Sequence, residues 1–126
     1  MKKIITHALT LMALFGRAEV KVNEIMADND GSFLTADGKA EDWIELYNPG
    51  AADADISGWR LCDSTTKKWS KWEELPEGTV VPAGGYLIVW ADDFTGWTNG
   101  EVHVNLGFSS KGEEVALAIA EGEIVD

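Results

Sequence analysis

The amino-acid sequence predicts one all-β domain, built as a sandwich or a barrel. After residue 18, apolar residues alternate with polar ones in short runs, which is the period of a half-buried β-strand. Glycine, proline, asparagine and aspartate separate these runs, and no window after residue 18 has a convincing helical period. A chain of 126 residues with 45% hydrophobic residues and six tryptophans has room for one packed core. Many short strands at this spacing are typical of an all-β sandwich or barrel.

Residues 1–18 differ in composition from the rest of the chain. Met1-Lys2-Lys3 is a positively charged start, residues 4–16 are mostly apolar and carry no charge, and Gly16-Arg17-Ala18 has small residues where a signal peptidase reads them. This pattern predicts a secretory signal peptide in residues 1–18, followed by one domain in residues 19–126. An amphipathic or buried helix is the alternative interpretation. The apolar run is too short for an ordinary transmembrane helix, so we expect no membrane span after cleavage.

Seven strands are predicted after residue 18. Their ranges are 19–27, 42–48, 55–62, 79–81, 86–91, 102–108 and 115–120. The second strand has the clearest alternation, because Ile44 and Leu46 share one face and Pro49, which has no amide donor, then ends the ladder. Residues 86–91 are apolar on both faces, which predicts a central strand that is covered on both sides.

Polar connections separate these strands. They are residues 28–41, an irregular segment at 63–78, a loop at 92–100, a hairpin turn at Ser110-Lys111-Gly112-Glu113 and a last turn toward residues 124–125. Gly58 predicts a bend that turns the indole of Trp59 inward. Gly84-Gly85 predicts a chain reversal that a β-carbon would obstruct.

Three segments resemble, in order and spacing, the opening of a lamin tail domain. They are Val22-Asn23-Glu24-Ile25-Met26-Ala27, Trp43-Ile44-Glu45-Leu46-Tyr47-Asn48-Pro49-Gly50 and Asp55-Ile56-Ser57-Gly58-Trp59-Arg60-Leu61. The similarity continues through residues 75–87, 89–92, 103–109 and 112–117. It implies an immunoglobulin-like β-sandwich over residues 19–126. Members of this family usually continue past a pair such as Val125-Asp126, so the resemblance also implies a fragment that lacks the last strand or strands.

The alternation and the resemblance together predict the core. The residues expected to be largely buried are Ile44, Leu46, Trp59, Leu61, Leu87, Val89, Leu106, Val115 and Leu117. Trp43, Trp59 and Trp90 are expected to anchor the core between the two sheets, because large aromatic rings bury the most area. Glu45 is expected to have a partner rather than to lie alone among apolar residues.

Charge and composition exclude several classes of function. Ten basic and 22 acidic side chains give a formal net charge of -12, which disfavours a duplex-DNA partner and suits a cation or a basic partner, or simply a well-solvated surface. The single cysteine, Cys62, cannot form an internal disulfide and is expected to be an inert, half-buried thiol. His103 is the only histidine after residue 18, and no phosphate loop, metal motif or nucleophile motif is present. We therefore predict that the protein is not an enzyme.

The resemblance implies a secreted interaction or scaffold module within a longer exported protein. Its partner would be a protein or a cell-surface glycan, its location secreted, at the cell surface or periplasmic, and its source bacterial, given the short lysine-led signal. No cofactor is expected, with calcium as the one alternative. Carboxylate and amide oxygens suit calcium, and the candidate ligands are Asp28, Asn29 and Asp30, with Asp92 and Asp93 as a second pair. Such clusters also occur as plain solvated turns.

A second alternative is carbohydrate or cell-wall binding through aromatic rings. Residues 67–72 form the one basic patch of an acidic chain and contain two indoles. Flat rings on loops can stack on sugars, which points to Lys68, Trp69 and Trp72, with Trp97 in the loop at 92–100. The competing interpretation is that Trp72 closes one end of the sandwich while the lysines stay in water.

Overall fold

A computed structural model describes residues 19–108 and 114–126 of the chain. Within these residues it contains ten short strands and one turn of 3₁₀ helix at Trp69–Lys71. The strands are β1 (Lys21–Met26), β2 (Asp42–Tyr47), β3 (Ala54–Asp55), β4 (Arg60–Cys62), β5 (Glu73–Glu74), β6 (Val80–Val81), β7 (Tyr86–Ala91), β8 (Gly96–Thr98), β9 (Glu101–Val104) and β10 (Ala116–Ala118). The predicted signal peptide and the predicted hairpin turn at 110–113 lie outside the described residues. None of the described helical structure is long and apolar enough to cross a membrane.

Two sheets and a short ribbon form the sandwich, which confirms the predicted all-β class. The larger sheet has the order β1-β2-β7-β9-β8, the smaller sheet has the order β10-β4-β5, and β3 pairs with β6. All neighbours are antiparallel except β7 and β9, which run parallel. This parallel pair brings the residues that follow β7 close to the end of β9, where the candidate site lies.

The core lies between the two sheets and follows the alternation seen in the sequence. In the β2–β7 pair, Ile44 is opposite Val89 and Leu46 is opposite Leu87. These side chains meet residues of the smaller sheet and its flanks in one apolar cluster. Eight of the nine predicted core residues are buried, namely Ile44, Leu46, Trp59, Leu61, Val89, Leu106, Val115 and Leu117, while Leu87 is partly buried against them. Glu45 accepts a hydrogen bond of 2.8 Å from Asn23 Nδ2, so it has the expected partner.

The prediction that Trp43 and Trp90 anchor the inter-sheet core was wrong. Both are buried, but they lie outside the core cluster, because their strands direct Ile44 and Val89 to the core and the indoles to the opposite face. There Phe33 covers them, stacked on Trp90 at 5.2 Å between ring centroids and edge-on to Trp43 at 6.0 Å. The connection at 28–41 therefore folds back over the outer face of the larger sheet.

The predicted strand at 55–62 is divided into two strands of different sheets. Gly58 has a φ of +82°, a conformation that favours glycine, so the chain bends there as expected and Trp59 enters the core. β3 then pairs with β6, whereas β4 pairs with β5 and β10. The bend thus carries the chain into the smaller sheet.

Other boundaries also differ from the sequence-based expectations. The predicted loop at 92–100 contains β8, and the irregular segment at 63–78 contains the 3₁₀ turn and β5. The strand predicted at 102–108 ends at Val104, although Leu106 remains buried. β7 is central, but Tyr86 at its start is 54% exposed, so only its second half is covered on both sides.

Asp126 joins the two sheets. The Val22 amide donates a hydrogen bond of 2.8 Å to Asp126 Oδ2, and the Leu117 amide donates one of 2.7 Å to the Asp126 backbone oxygen. The residue is 1% exposed. One residue therefore connects the edge strand β1 of the larger sheet with β10 of the smaller one.

Candidate functional site

A cleft of about 320 Å³ lies at one end of the larger sheet, between the connection at 28–41 and the segment that contains β8. Its walls carry five carboxylate side chains and one lysine, Lys39. The carboxylates are those of Asp37, Glu41, Asp92, Asp93 and Glu101. The cleft is therefore acidic, like the chain as a whole.

His103 is the central polar residue of the cleft. It lies on β9 between Val102 and Val104, which face the core, so its side chain points to the outer face of the larger sheet. Its Nδ1 lies 2.6 Å from Asp92 Oδ2, and the side chain is only 6% exposed. An ionised Asp92 can only accept a hydrogen bond, so Nδ1 carries the proton. In a neutral imidazole Nε2 is then a hydrogen-bond acceptor, and it is buried with no partner among the described residues.

Glu101 attaches the connection at 28–41 to the larger sheet. Its Oε1 accepts a hydrogen bond of 2.9 Å from the Ala36 amide, and its Oε2 accepts one of 3.2 Å from Trp90 Nε1. Because both carboxylate oxygens accept hydrogen bonds, the Glu101 side chain is held in one position in the wall of the cleft.

Thr35 organises the same wall through its hydroxyl group. Thr35 Oγ1 donates to Asp37 Oδ1 at 2.5 Å and accepts a hydrogen bond of 3.0 Å from the Lys39 amide. The bond from Thr35 lowers the pKa of Asp37 below its usual value, with the charge of Lys39 as a lesser contribution. Lys39 Nζ lies 3.7 Å from Asp37 Oδ2, so the one lysine of the cleft is directed at a single carboxylate.

Two aromatic rings border the cleft. Phe94 is 45% exposed and Trp97 is 40% exposed. Phe94 lies edge-on to His103 at 6.0 Å between centroids, and Trp97 Nε1 donates a hydrogen bond of 2.9 Å to the Glu77 backbone oxygen. A β-carbon at Gly96 would lie 3.0 Å from the Phe94 ring, so glycine leaves room for this ring.

Among the proposed calcium ligands, Asp28, Asn29 and Asp30 form a hydrogen-bonded turn. Asn29 Nδ2 donates to the backbone oxygens of Phe33 and Glu41, and its Oδ1 accepts from the Gly31 amide. The structure brings Asp92 and Asp93 instead to the cleft, where Asp92 holds His103. Within residues 19–108 and 114–126, no group of three or more histidine, cysteine, aspartate or glutamate residues could hold a metal ion. Calcium binding stays a prediction.

The proposed aromatic ligand-binding residues lie in two places. Trp69 and Trp72 contact each other at 5.4 Å between centroids, and Trp72 is buried against Cys62 of β4. Lys68 beside them is exposed, whereas Trp97 belongs to the cleft. The burial of Trp72 agrees with the interpretation that it closes one end of the sandwich.

The side chain of Arg60 covers one face of the Trp69 ring. Its guanidinium lies 4.5 Å from the Trp69 ring centroid and donates a hydrogen bond of 2.9 Å to the Trp69 backbone oxygen. Cys62 is fully buried rather than half-buried, and burial raises the pKa of its thiol. A thiol with a raised pKa is a poor nucleophile at neutral pH, as expected.

The pairing of His103 with Asp92 and the position of Phe94 at the cleft were not predicted from the sequence. Asp92 was considered only as a calcium ligand, and His103 only as an isolated strand residue. One signal was available, because His103 and Glu101 alternate with Val102 and Val104 and so share the outer face of a strand. The parallel pairing of β7 with β9, which puts Asp92 beside His103, has no local signature in the sequence.

Comparison with known protein families gives one match. The family model described as Lamin Tail Domain matches residues 15–126, which include every described residue. No curated protein matches the chain.

Proposed function

The chain belongs to the lamin tail domain family, and from this premise we propose that it is an exported, non-catalytic module that binds a protein partner at the cleft beside His103. Members of this family have an immunoglobulin-like fold, and the family suggests an interaction module. Such a module needs an exposed surface that is held rigidly enough to recognise a partner.

The exposed rings of Phe94 and Trp97 are the observation that carries this proposal. Aromatic residues are enriched in the centres of protein interfaces, where a large rigid ring contributes much contact area at little entropic cost. The Phe94 amide is held by Asp92 Oδ1 at 3.0 Å, and Trp97 lies in a strand paired with β9. The two rings therefore extend from a backbone that is already ordered.

The composition of the cleft supports a non-catalytic role. Hydrolytic catalysis by a His–Asp pair needs a nucleophile within hydrogen-bond reach of the imidazole. No serine or cysteine lines the described cleft, and Cys62 lies in the separate cluster around Trp72. Two threonine hydroxyl groups line the cleft: that of Thr35 already donates to Asp37, and that of Thr98 forms no hydrogen bond with His103.

The N-terminal sequence supports export, because residues 1–18 have the positive start, the apolar run and the small residues of a signal peptide. Expression of the full chain in a bacterial host, followed by fractionation and N-terminal sequencing of the exported form, tests this part. A mature N-terminus at Glu19 in the periplasm or the medium is the expected result. A cytoplasmic protein that retains residues 1–18 would contradict it.

Site-specific photo-cross-linking tests the binding role. A photoreactive amino acid replaces Trp97 in the full chain, expressed in the organism that produces it. The matched control replaces Tyr86, an exposed ring on the same sheet, about 17 Å along β7 from Ala91. Adducts of discrete mass at position 97 and not at position 86 are expected. Adducts at neither position would count against an interaction module, and adducts only at position 86 would move the binding surface away from the cleft.

The glycan and calcium alternatives have tests of their own. The wild-type protein and the variants Trp97→Ala and Trp69→Ala are compared on a glycan array. If either ring stacks on a sugar, the binding signal of the wild type is lost when that ring is removed.

Calorimetric titration with calcium, with the melting temperature as a second measurement, tests the calcium alternative. An unchanged melting temperature at millimolar calcium would count against a calcium site.

A further inference from the structure

The cleft beside His103 carries more negative charge than its own residues neutralise. Lys39 is the only lysine or arginine among the lining residues, and it lies close to Asp37. Glu101 accepts only from neutral donors. Glu41 and Asp93 form no side-chain hydrogen bond or ion pair with another described residue. A chain with a net charge of -12 adds a long-range attraction for cations.

In its neutral form, His103 supplies an unused hydrogen-bond acceptor in the same cleft. Its Nδ1 is committed to Asp92, and Nε2 is buried without a partner among the described residues. A buried polar atom left unpaired is costly, so an incoming donor that pairs with it gains free energy. The Phe94 ring lies against the imidazole, while the Phe94 backbone is held by Asp92. Because Nε2 is buried, a donor reaches it only when a neighbouring side chain moves, and the exposed Phe94 ring is the aromatic side chain in contact with the imidazole.

The aromatic rings indicate which kind of cation fits. Calcium and magnesium take shells of oxygen ligands, and exposed rings of Phe94 and Trp97 would replace part of such a shell with carbon. An organic cation instead gains from the face of an aromatic ring while donating its N–H groups to carboxylates and to an imidazole nitrogen. The volume of about 320 Å³ is at the small end for ligand clefts and suits one side chain rather than a folded element.

We propose that this cleft binds the side-chain cation of a lysine or arginine in a basic segment of the partner protein. The cation lies between the rings of Phe94 and Trp97, donates to His103 Nε2 and is neutralised by Asp93 and Glu41. This inference rests on the proposed interaction function and names the chemistry of the partner.

A titration of the ¹⁵N-labelled full chain with a capped tri-lysine peptide tests the proposal. Tri-glutamate serves as the charge-reversed probe, and a neutral oligosaccharide tests a glycan occupant. At about 150 mM salt, which screens distant charges, tri-lysine should shift the Trp97 indole and the amides of Thr98 and Asn99 saturably. The Nε2 resonance of His103 should move as that atom accepts a hydrogen bond, a response that general charge attraction would not produce.

Two variants and a matched control sharpen the result. Trp97→Ala and Asp93→Asn should each weaken tri-lysine binding roughly threefold to tenfold, the range expected for one cation–π contact or one charge pair. Glu121→Gln removes the same charge as Asp93→Asn from an exposed turn outside the cleft and should leave the affinity unchanged. All three positions are at the surface, and dispersed spectra confirm that each variant is folded.

Several results would overturn the inference. If Asp93→Asn and Glu121→Gln weaken tri-lysine binding equally, or if the shifts spread over the whole surface, the binding is due to the net charge of the protein and not to the cleft. Equal shifts with tri-glutamate, or shifts with the oligosaccharide alone, would assign the cleft to another ligand. If tri-lysine does not bind while position 97 still cross-links to a protein, the interaction function stands and the cation inference fails. If both experiments are negative, both proposals fail.

Discussion

Two surface clusters of this protein combine aromatic rings with charge, and they differ in whether that charge is satisfied. In the basic cluster, Arg60 stacks on Trp69 and hydrogen-bonds its backbone, while Trp72 is buried beneath. In the acidic cleft, Phe94 and Trp97 are exposed and His103 Nε2 has no partner within the described residues. In the first cluster the charged and aromatic groups are used in contacts within the fold, whereas in the second the two rings stay exposed and one buried acceptor stays unpaired among the described residues. The composition of a patch alone does not distinguish these two outcomes.

The largest expected difference between the clusters is in stability. Trp72→Ala should lower the free energy of unfolding by about 3–5 kcal/mol, because it removes a large buried ring from the cluster around Cys62. Trp97→Ala, the matched control in the cleft, should cost less than about 1 kcal/mol because that ring is exposed. Urea unfolding of the full chain measures both. Similar losses for the two variants would remove the distinction between a structural and a binding cluster.

A smaller effect is expected at Gly96, which leaves room for the Phe94 ring. Gly96→Ala should cost about 1–3 kcal/mol, because φ is +144° there and the new β-carbon would lie 3.0 Å from that ring. Gly107→Ala is the control, since nothing lies within 4 Å of a β-carbon at that position. Thermal melts give the stability, and the ring-current shift of His103 gives the ring position. A Gly96→Ala protein with unchanged stability and an unchanged His103 shift would mean that the Phe94 ring is not held there.

The stability that the basic cluster contributes should depend on the planar shape of the Arg60 side chain as well as on its charge. Arg60→Lys keeps the charge but loses the planar guanidinium that stacks on Trp69, so a loss of about 1 kcal/mol is expected. Lys68→Ala, at the exposed neighbouring lysine, should change the free energy of unfolding by less than about 0.5 kcal/mol. Chemical denaturation compares them. A larger loss for Lys68→Ala than for Arg60→Lys would contradict the internal role of the arginine.

The smallest effect concerns one carboxylate in the wall of the cleft. Thr35→Val removes the hydrogen bond to Asp37, so the pKa of Asp37 should rise toward its ordinary value of 3.8. A carboxylate with a depressed pKa stabilises the fold above 3.8 and loses that contribution as the pH falls through its folded-state pKa. The variant should therefore show a weaker decline in stability on the acid side of 3.8.

Asp55 is the matched control for this titration, because the side chain of Ser57 lowers its pKa in the same way. Ser57→Ala should raise the pKa of Asp55 and leave Asp37 unchanged, and Thr35→Val should do the converse. Carboxyl ¹³C shifts followed against pH report each group separately. Parallel changes at both aspartates in either variant would indicate a global change in the fold rather than a local hydrogen bond.

Local patterns in the sequence were sufficient for the longer strands and for most of the core, but not for the short strands β5 and β8, which lie in segments predicted as connections. The facing of Ile44 and Leu46 follows from the alternation of side chains along an extended chain, which does not depend on distant residues. The bend at Gly58 also follows from a local property, the access of glycine to positive φ. The order of these segments was enough for the family resemblance, which the family match over residues 15–126 confirms.

The candidate site could be predicted only in part. Asp92 and Asp93 were predicted as calcium ligands and Trp97 as a sugar-binding ring, so the three residues were assigned to two separate hypotheses. The structure brings all three to one cleft and adds His103 and Phe94. Trp72, assigned with Trp97 to one hypothesis, is buried in another part of the molecule.

The sequence by itself determined which residues alternate, where the chain turns and that the surface is acidic, because each of these is a property of near neighbours or of composition. The tertiary structure alone decided what covers the outer face of the larger sheet and which residues from distant segments meet. Phe33 covers Trp43 and Trp90, and the parallel pairing of β7 with β9 puts Asp92 against His103, eleven residues later in the chain. Such contacts depend on the pairing of whole strands, whose free energy is shared among many side chains, so no local pattern encodes them.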